Sequence, residues 1–187
     1  MDWKKFLAFL RRAEKLKCAT RHCTNSQGDP ESVAEHSWRA ALMALLMEPE
    51  FPGVDLNRVM RMCLVHDLGE AITGDIPTFL KTAGDEAVED KAVENLLSGL
   101  PGASRRELTS LFDEMAALAT PEARLFKILD KFEAVIQHNE SPLSTWEELE
   151  YDLQRDYAWK EAAWFPQTQA LREEIRRQTD EKIAEGV

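Results

Sequence analysis

The chain has 187 residues, 44% of them hydrophobic, enough for one domain with a packed core across residues 1–187. A formal net charge of −11 works against binding a nucleic-acid polymer or an anionic membrane, and admits a small phosphorylated ligand only where that charge is locally inverted. Cys18, Cys23 and Cys63 lack CxxC spacing, which excludes a zinc ribbon and a disulfide framework and favours the reducing cytoplasm. The longest apolar run, AALMALLM at 40–47, is far below the roughly 18 residues of a membrane span, and charges near the N-terminus interrupt any signal-peptide core.

Along the chain the sustained period is helical. Trp3, Phe6, Leu7, Leu10 and Ala13 share one face of a first helix, and CTNSQGDPE then breaks the pattern as a loop. Ser32-Val33-Ala34-Glu35 reads as a capping box, so a second helix starts there and runs to about Met47, stopped by Pro49 and Pro52. Asp55 caps a third helix through about Ala71. Further helices fit 84–98, ended by Gly99; 105–118, opened by a box from Ser104 to Glu107; and 121–139, opened by Thr120-Pro121. A box from Ser144 to Glu147 opens another, and a highly charged last helix follows Pro166. No segment carries a strand period, so the expected fold class is all-α, a globular bundle of about seven or eight helices.

The stretch RMCLVHDLGEAITGDIPTF, Arg61 to Phe79, puts His66, Asp67 and Glu70 into what begins as an apolar helix and adds Asp75 just beyond it. A core is easier to build without such groups, because each buried charge needs a partner, a metal or a shifted pKa. At about 100° per residue, His66, Glu70, Cys63 and Asp67 fall within about a quarter turn, the arc that also carries Val59. His36 shares its face with Ala40, Met43 and Met47, and Asp130 has Phe126 and Ala134 as i−4 and i+4 neighbours, an odd setting for an unpaired aspartate. Taken alone, His66 and Asp67 could be a satisfied core histidine beside a helix-end aspartate. One divalent cation explains all of these residues together, because two imidazoles and two carboxylates from three helices can surround it and leave positions open for water and substrate. Nitrogen ligands suit Mn, Co, Fe(II), Ni or Zn better than Mg.

Together, E-H-S at 35–37, V-H-D-L-G-E at 65–70, G-D-I-P-T at 74–78 and L-D-K-F at 129–132 resemble the His…His-Asp…Asp signature of the HD-domain metal-dependent phosphohydrolases. The pattern H-D-x-x-E followed by G-D-x-P-T is most similar to the 5′-deoxynucleotidases and the HD domain-containing protein 2 group. The motifs span 21–132 and say little about the C-terminal helices in 140–187. The resemblance implies an HD-domain fold, metal ligation by His36, His66, Asp67 and Asp130, and hydrolysis of a deoxyribonucleoside 5′-monophosphate to deoxyribonucleoside and phosphate. It also implies that Arg21 binds the 5′-phosphate, through a guanidinium suited to bidentate contact with phosphate oxygens. His22 departs from the family pattern, where a tryptophan packs against the sugar and helps exclude a 2′-hydroxyl.

The chemistry expected of such a site is to stabilise charge on phosphorus oxygens and deliver a nucleophile at once. Glu70 can orient or deprotonate water, and Asp75 can orient it or assist the leaving 5′-oxygen. A di-iron oxygenase needs further histidines, whereas His138 lies about 12 Å along a continuous helix from Asp130. The alternatives are a phosphohydrolase for a ribonucleotide, a triphosphate or a phosphodiester, and a non-catalytic helical interaction module. The aromatic C-terminal stretch, including Trp146, Trp159 and Trp164, fits helix packing or a subunit contact in a homodimer.

Overall fold

Capping chemistry sets most of the helix boundaries in the computed structural model, which describes residues 2–186. Helix α1 spans Trp3–Ala13, with the Asp2 carboxylate accepting from the Lys4 and Lys5 N–H groups. Helix α2 (Val33–Leu46) begins at the reciprocal Ser32–Glu35 box anticipated from the sequence. Then come α3 (Leu56–Val65), the single turn α4 (Glu70–Thr73), α5 (Ala83–Ser98), α6 (Gly102–Ala117) and α7 (Pro121–Glu140). The C-terminal part adds α8 (Glu148–Asp156), the single turn α9 (Trp159–Ala162) and α10 (Pro166–Glu185). Eight of these helices have nine or more residues, which bears out the all-α bundle.

Helix α7 is the axle. Its Leu125 and Leu129 pack against Val59, Met62 and Cys63 of α3 and Ala40 and Ala44 of α2, while Ile128, Phe132 and Val135 on its other side meet Ala158, Ala162 and Ile175. A helix buried on two opposite faces has little room for charge, so each ionisable group on it needs an explanation. Fully burying side chains such as Phe132 contributes about 1.5–3 kcal/mol each.

Several boundaries differ from the sequence expectation. The segment taken as a loop contains a short antiparallel hairpin, β1 (Thr20–Thr24) with β2 (Pro30–Ser32), whose turn is knotted by Asn25 Oδ1 accepting from the Gln27 and Asp29 N–H groups. Five residues of T-R-H-C-T are too few to reveal a period of two. The third helix stops at Val65 instead of running to Ala71, because the chain tightens: the Leu68 and Glu70 N–H groups donate to the Val65 and Asp67 carbonyls, three residues back. Ser104 does not cap a helix; Pro101, with φ fixed at −58°, starts α6 three residues earlier at Gly102. Ser144 does not cap one either, since 143–145 form a 3₁₀ turn and Glu147 pairs reciprocally with Glu150 to open α8.

Trp146, Trp159 and Trp164 pack within the chain. The Trp146 indole donates to the His138 carbonyl, Trp159 lies under the Arg172 guanidinium, and Trp164 joins the second core cluster. The large apolar side chains that do face outward belong to other surfaces, among them Trp3, Leu7 and Leu10 of α1 and Trp38, Leu45 and Leu46 of α2. Among the described residues no helix is long and apolar enough to cross a membrane.

Candidate metal centre

Three helices and the tightened turn after α3 converge on one point. The Ser32 box fixes where α2 starts, and so places His36 in its first turn with its side chain fully buried. His66 ends α3, Asp67 follows it into the turn, and Asp130 comes from the middle of α7. Gly69 lets that turn sit against α5: a Cβ there would stand 2.6 Å from Glu89 Cγ and 3.2 Å from Val93 Cγ2.

His36 Nε2 is 3.2 Å from Asp130 Oδ1 and 3.9 Å from Asp67 Oδ2. His66 Nε2 is 3.0 Å from the same Asp67 oxygen and 3.5 Å from the same Asp130 oxygen. Donor atoms held about 2.0–2.2 Å from one ion stand about 3–3.5 Å from each other, or about 4 Å when opposite; His36, His66 and Asp67 form such a group of possible ligands, and Asp130 stands at this spacing from both rings. Both rings are oriented from behind: His66 Nδ1 donates to the Cys63 carbonyl at 2.9 Å, and His36 Nδ1 donates to Glu133. Each ring thus turns Nε2 inward as the free nitrogen. Although close, His66 Nε2 and Asp67 Oδ2 are misaligned for a hydrogen bond, and both atoms are buried without a partner. Orphaned nitrogen and oxygen donors facing one another suit a bound cation.

The electrostatics agree. Burial works against every charge here, yet Asp67 and Asp130 push the His66 imidazole well above its usual value, and the imidazoles hold Asp67 below the usual carboxylate range. The centre favours positive charge, which protons on the rings or a bound cation would supply. Lys127 adds to the field, its Nζ donating to Asp130 Oδ2 at 2.9 Å. Burial, with Asp67, Asp75 and Glu89 nearby, pushes the Glu70 carboxyl up to about 9. Glu70 Oε2 has no partner, so this carboxyl is available to something in the cleft.

Arg21 lies on β1. Its Nη1 is 3.9 Å from both Asp67 Oδ2 and Asp75 Oδ1, and its Nε is 3.3 Å from the buried Glu31. Gly74, with φ at +75°, ends α4 and swings the chain out to Asp75. These groups share a cleft of about 1370 Å³, large enough for a nucleotide. The opposite wall brings His22 within 3.4 Å of Glu150 and edge-on to Phe79, with His138 Nε2 2.8 Å from Glu150. All eight residues singled out in the sequence line or adjoin this cleft, and His138 stays out of the metal centre.

Sequence reasoning missed Glu31, Arg39, Lys127, Glu133 and Glu150. For Glu133 a signal existed: it sits three residues after Asp130 on the same apolar helix, with Leu129 at i−4 and Gln137 at i+4, and is fully buried. Glu31 and Glu150 carried none, because their burial follows from the hairpin and from how α8 docks.

A family model described as an HD domain matches residues 13–172. The chain belongs to the HD-domain family. This HD-domain chain is similar to the 5′-deoxynucleotidase HDDC2 of Homo sapiens, 32% identical over 152 residues that cover 79% of this chain and 71% of that protein. It is similar to the protein of the same name in Xenopus laevis, 34% identical over 151 residues, 79% and 72% of the two chains. Among solved structures, one described as a predicted metal-dependent phosphohydrolase from Magnetospirillum magnetotacticum superposes with a TM-score of 0.81 at 28% identity, covering 98% of this chain and 94% of that one. The cyanophage S-2L HD phosphohydrolase DatZ, bound to dA and one catalytic Zn2+ ion, shares the fold at 23% identity and a TM-score of 0.58, with 94% and 96% covered.

Proposed function

We propose that this HD-domain protein is a metal-dependent 5′-deoxynucleotidase that hydrolyses deoxyribonucleoside 5′-monophosphates to deoxyribonucleosides and phosphate. The observation that carries the reading is the inward-facing set His36, His66, Asp67 and Asp130, opening beside Arg21 into a cleft with room for a nucleotide. The similarity to relatives named 5′-deoxynucleotidase supports the substrate class.

Those four residues would hold a divalent ion, which would supply Lewis acidity toward phosphate and lower the pKa of water. The two imidazole nitrogens favour Mn, Co, Fe(II), Ni or Zn. Arg21 projects a guanidinium that faces both Asp67 and Asp75, and so binds the phosphate and opposes the carboxylate field around it. Glu70, buried and one turn past His66, would orient the attacking water; its raised pKa belongs to the cation-free site, and a cation beside Asp67 would lower it so that the carboxylate can take the proton. Asp75, on the loop across from Arg21, orients the water or delivers a proton to the leaving 5′-oxygen. His22, close to Phe79 and Glu150, faces the sugar.

Phosphate release by protein reconstituted with Mn2+ or Co2+ tests this, against dAMP, AMP, ADP, dATP and bis(p-nitrophenyl) phosphate, with chelator-treated protein as the blank. Highest kcat/KM for the deoxyribonucleoside monophosphate is expected. Preference for the triphosphate or the diester would move the substrate to another class, and release from none of them would leave a helical interaction module.

A further inference from the structure

We propose that Glu133 is a positioning residue of the metal centre: it holds His36 with Nδ1 as the donor and Nε2 turned toward Asp67 and Asp130. Glu133 and His36 are both fully buried, and Glu133 Oε2 accepts from His36 Nδ1. On the other face of the same ring, Nε2 lies 3.2 Å from Asp130 Oδ1. Asp130 and Glu133 are one turn apart on α7, so a single helix brackets the imidazole from both sides. The second Glu133 oxygen is occupied as well, accepting from Arg39 Nε at 2.6 Å, and Arg39 Nη1 donates to Glu140 at 2.6 Å. A carboxylate tied at both oxygens has little freedom, and the ring it holds cannot turn or exchange its tautomer. Were the proton on Nε2 instead, the nitrogen facing the centre would have no lone pair for an ion.

The fold supplies its own control. Glu31 is 3% exposed and offers an oxygen within 4.8 Å of ligand-type atoms of His36 and Glu133. Its hydrogen bonds and ion pairs go elsewhere, to Cys23 Sγ at 3.1 Å and Arg21 Nε at 3.3 Å. Two acids equally deep beside one imidazole therefore differ in what they hold, and a general effect of negative charge can be separated from an effect of the Nδ1 hydrogen bond.

The assignment rests on the metal centre and not on the identity of the substrate, and binding of Co2+ to the chelator-treated full chain, followed by its visible absorption, tests it without turnover. Glu133→Gln keeps the shape but cannot serve both Nδ1–H and Arg39 as an anion, and should weaken Co2+ affinity about 10- to 100-fold. Glu133→Asp keeps the charge but draws the acceptor back from Nδ1, and should weaken it too. Glu31→Gln should stay within about twofold of wild type. Wild-type affinity in Glu133→Gln or in Glu133→Asp would overturn the positioning role, as would an equal loss in Glu31→Gln, which would show that charge count alone matters. If the wild-type chain takes up no Co2+, the metal centre itself fails and this assignment with it.

Discussion

Two histidine clusters lie eight residues apart along α7, and only one is short of partners. At Asp130, His36 and His66 face two carboxylates across gaps of 3.0–3.9 Å, with His66 Nε2 and Asp67 Oδ2 unpartnered. At His138 the imidazole meets Glu150 at 2.8 Å, and the Trp146 indole donates to the His138 carbonyl. Both clusters are buried histidine–carboxylate groups, so burial and composition do not distinguish them. Unpartnered atoms do: a structural cluster satisfies itself, while a binding centre leaves donors aimed at a space. Substitution should break the symmetry between them. His66→Ala or Asp67→Ala should lose stoichiometric metal and reduce turnover on the order of a thousandfold or more, because the ion supplies most of the charge stabilisation. His138→Ala should keep its metal but lose about 3 kcal/mol of stability by leaving Glu150 buried without its main partner. Elemental analysis and urea denaturation of the three variants decide it, and full metal in Asp67→Ala would sink the centre.

Glu70 sharpens the contrast, because it belongs to the unsatisfied cluster without belonging to the ligand set. Glu70→Gln should retain metal and lower kcat by about 10²–10⁴. It should also stabilise the metal-free chain, and the sign can be worked out. Burial raises the Glu70 pKa from 4.5 to about 9, so the folded state holds this proton more tightly than the unfolded chain does. That contribution is fully present below pH 4.5 and is lost as pH rises toward 9. Glutamine imitates the protonated acid at every pH, so the gain in Tm over wild type should be larger at pH 8.5 than at pH 5. A gain that does not change with pH would mean that Glu70 is not held protonated.

How far the sequence reached follows the same division. Helical periodicity marks His36, His66, Asp67, Glu70 and Asp130 as ionisable residues on apolar faces, and the resemblance to the HD-domain motifs separates the four ligands from Glu70; the structure groups His36, His66 and Asp67 and sets Asp130 beside both rings. Glu133 meets the periodicity criterion too, but lies outside the L-D-K-F motif that carries the resemblance. The hairpin and the tightened turn after Val65 were not legible: the hairpin is too short for a period, and the turn depends on Gly69 packing against Glu89 and Val93 of α5. Glu150 became visible only when α8 docked against His138 and His22, a contact between residues that neither periodicity nor local spacing relates.

The smallest expected effect concerns the wall that joins the two clusters. His22 Nε2 stands 3.4 Å from Glu150 Oε1, and its ring meets Phe79 edge-on with centroids 5.5 Å apart. Glu150 therefore draws one edge of the imidazole away from the centre, toward α8, and the smaller ring leaves space where an indole would press on the sugar. His22→Trp should fill that space and raise the ratio of kcat/KM for dAMP over AMP, mainly by penalising AMP. Contacts of this kind discriminate by about 1–3 kcal/mol. The lower end, about five- to tenfold, is expected, because the indole also gives up the Glu150 contact that fixes the ring. His138 still partners Glu150 at 2.8 Å, so the fold should tolerate the change and metal content should not move. Both nucleotides measured on both proteins give the answer: an unaltered ratio places the sugar elsewhere in the cleft and withdraws the phosphate position assigned to Arg21 beside it.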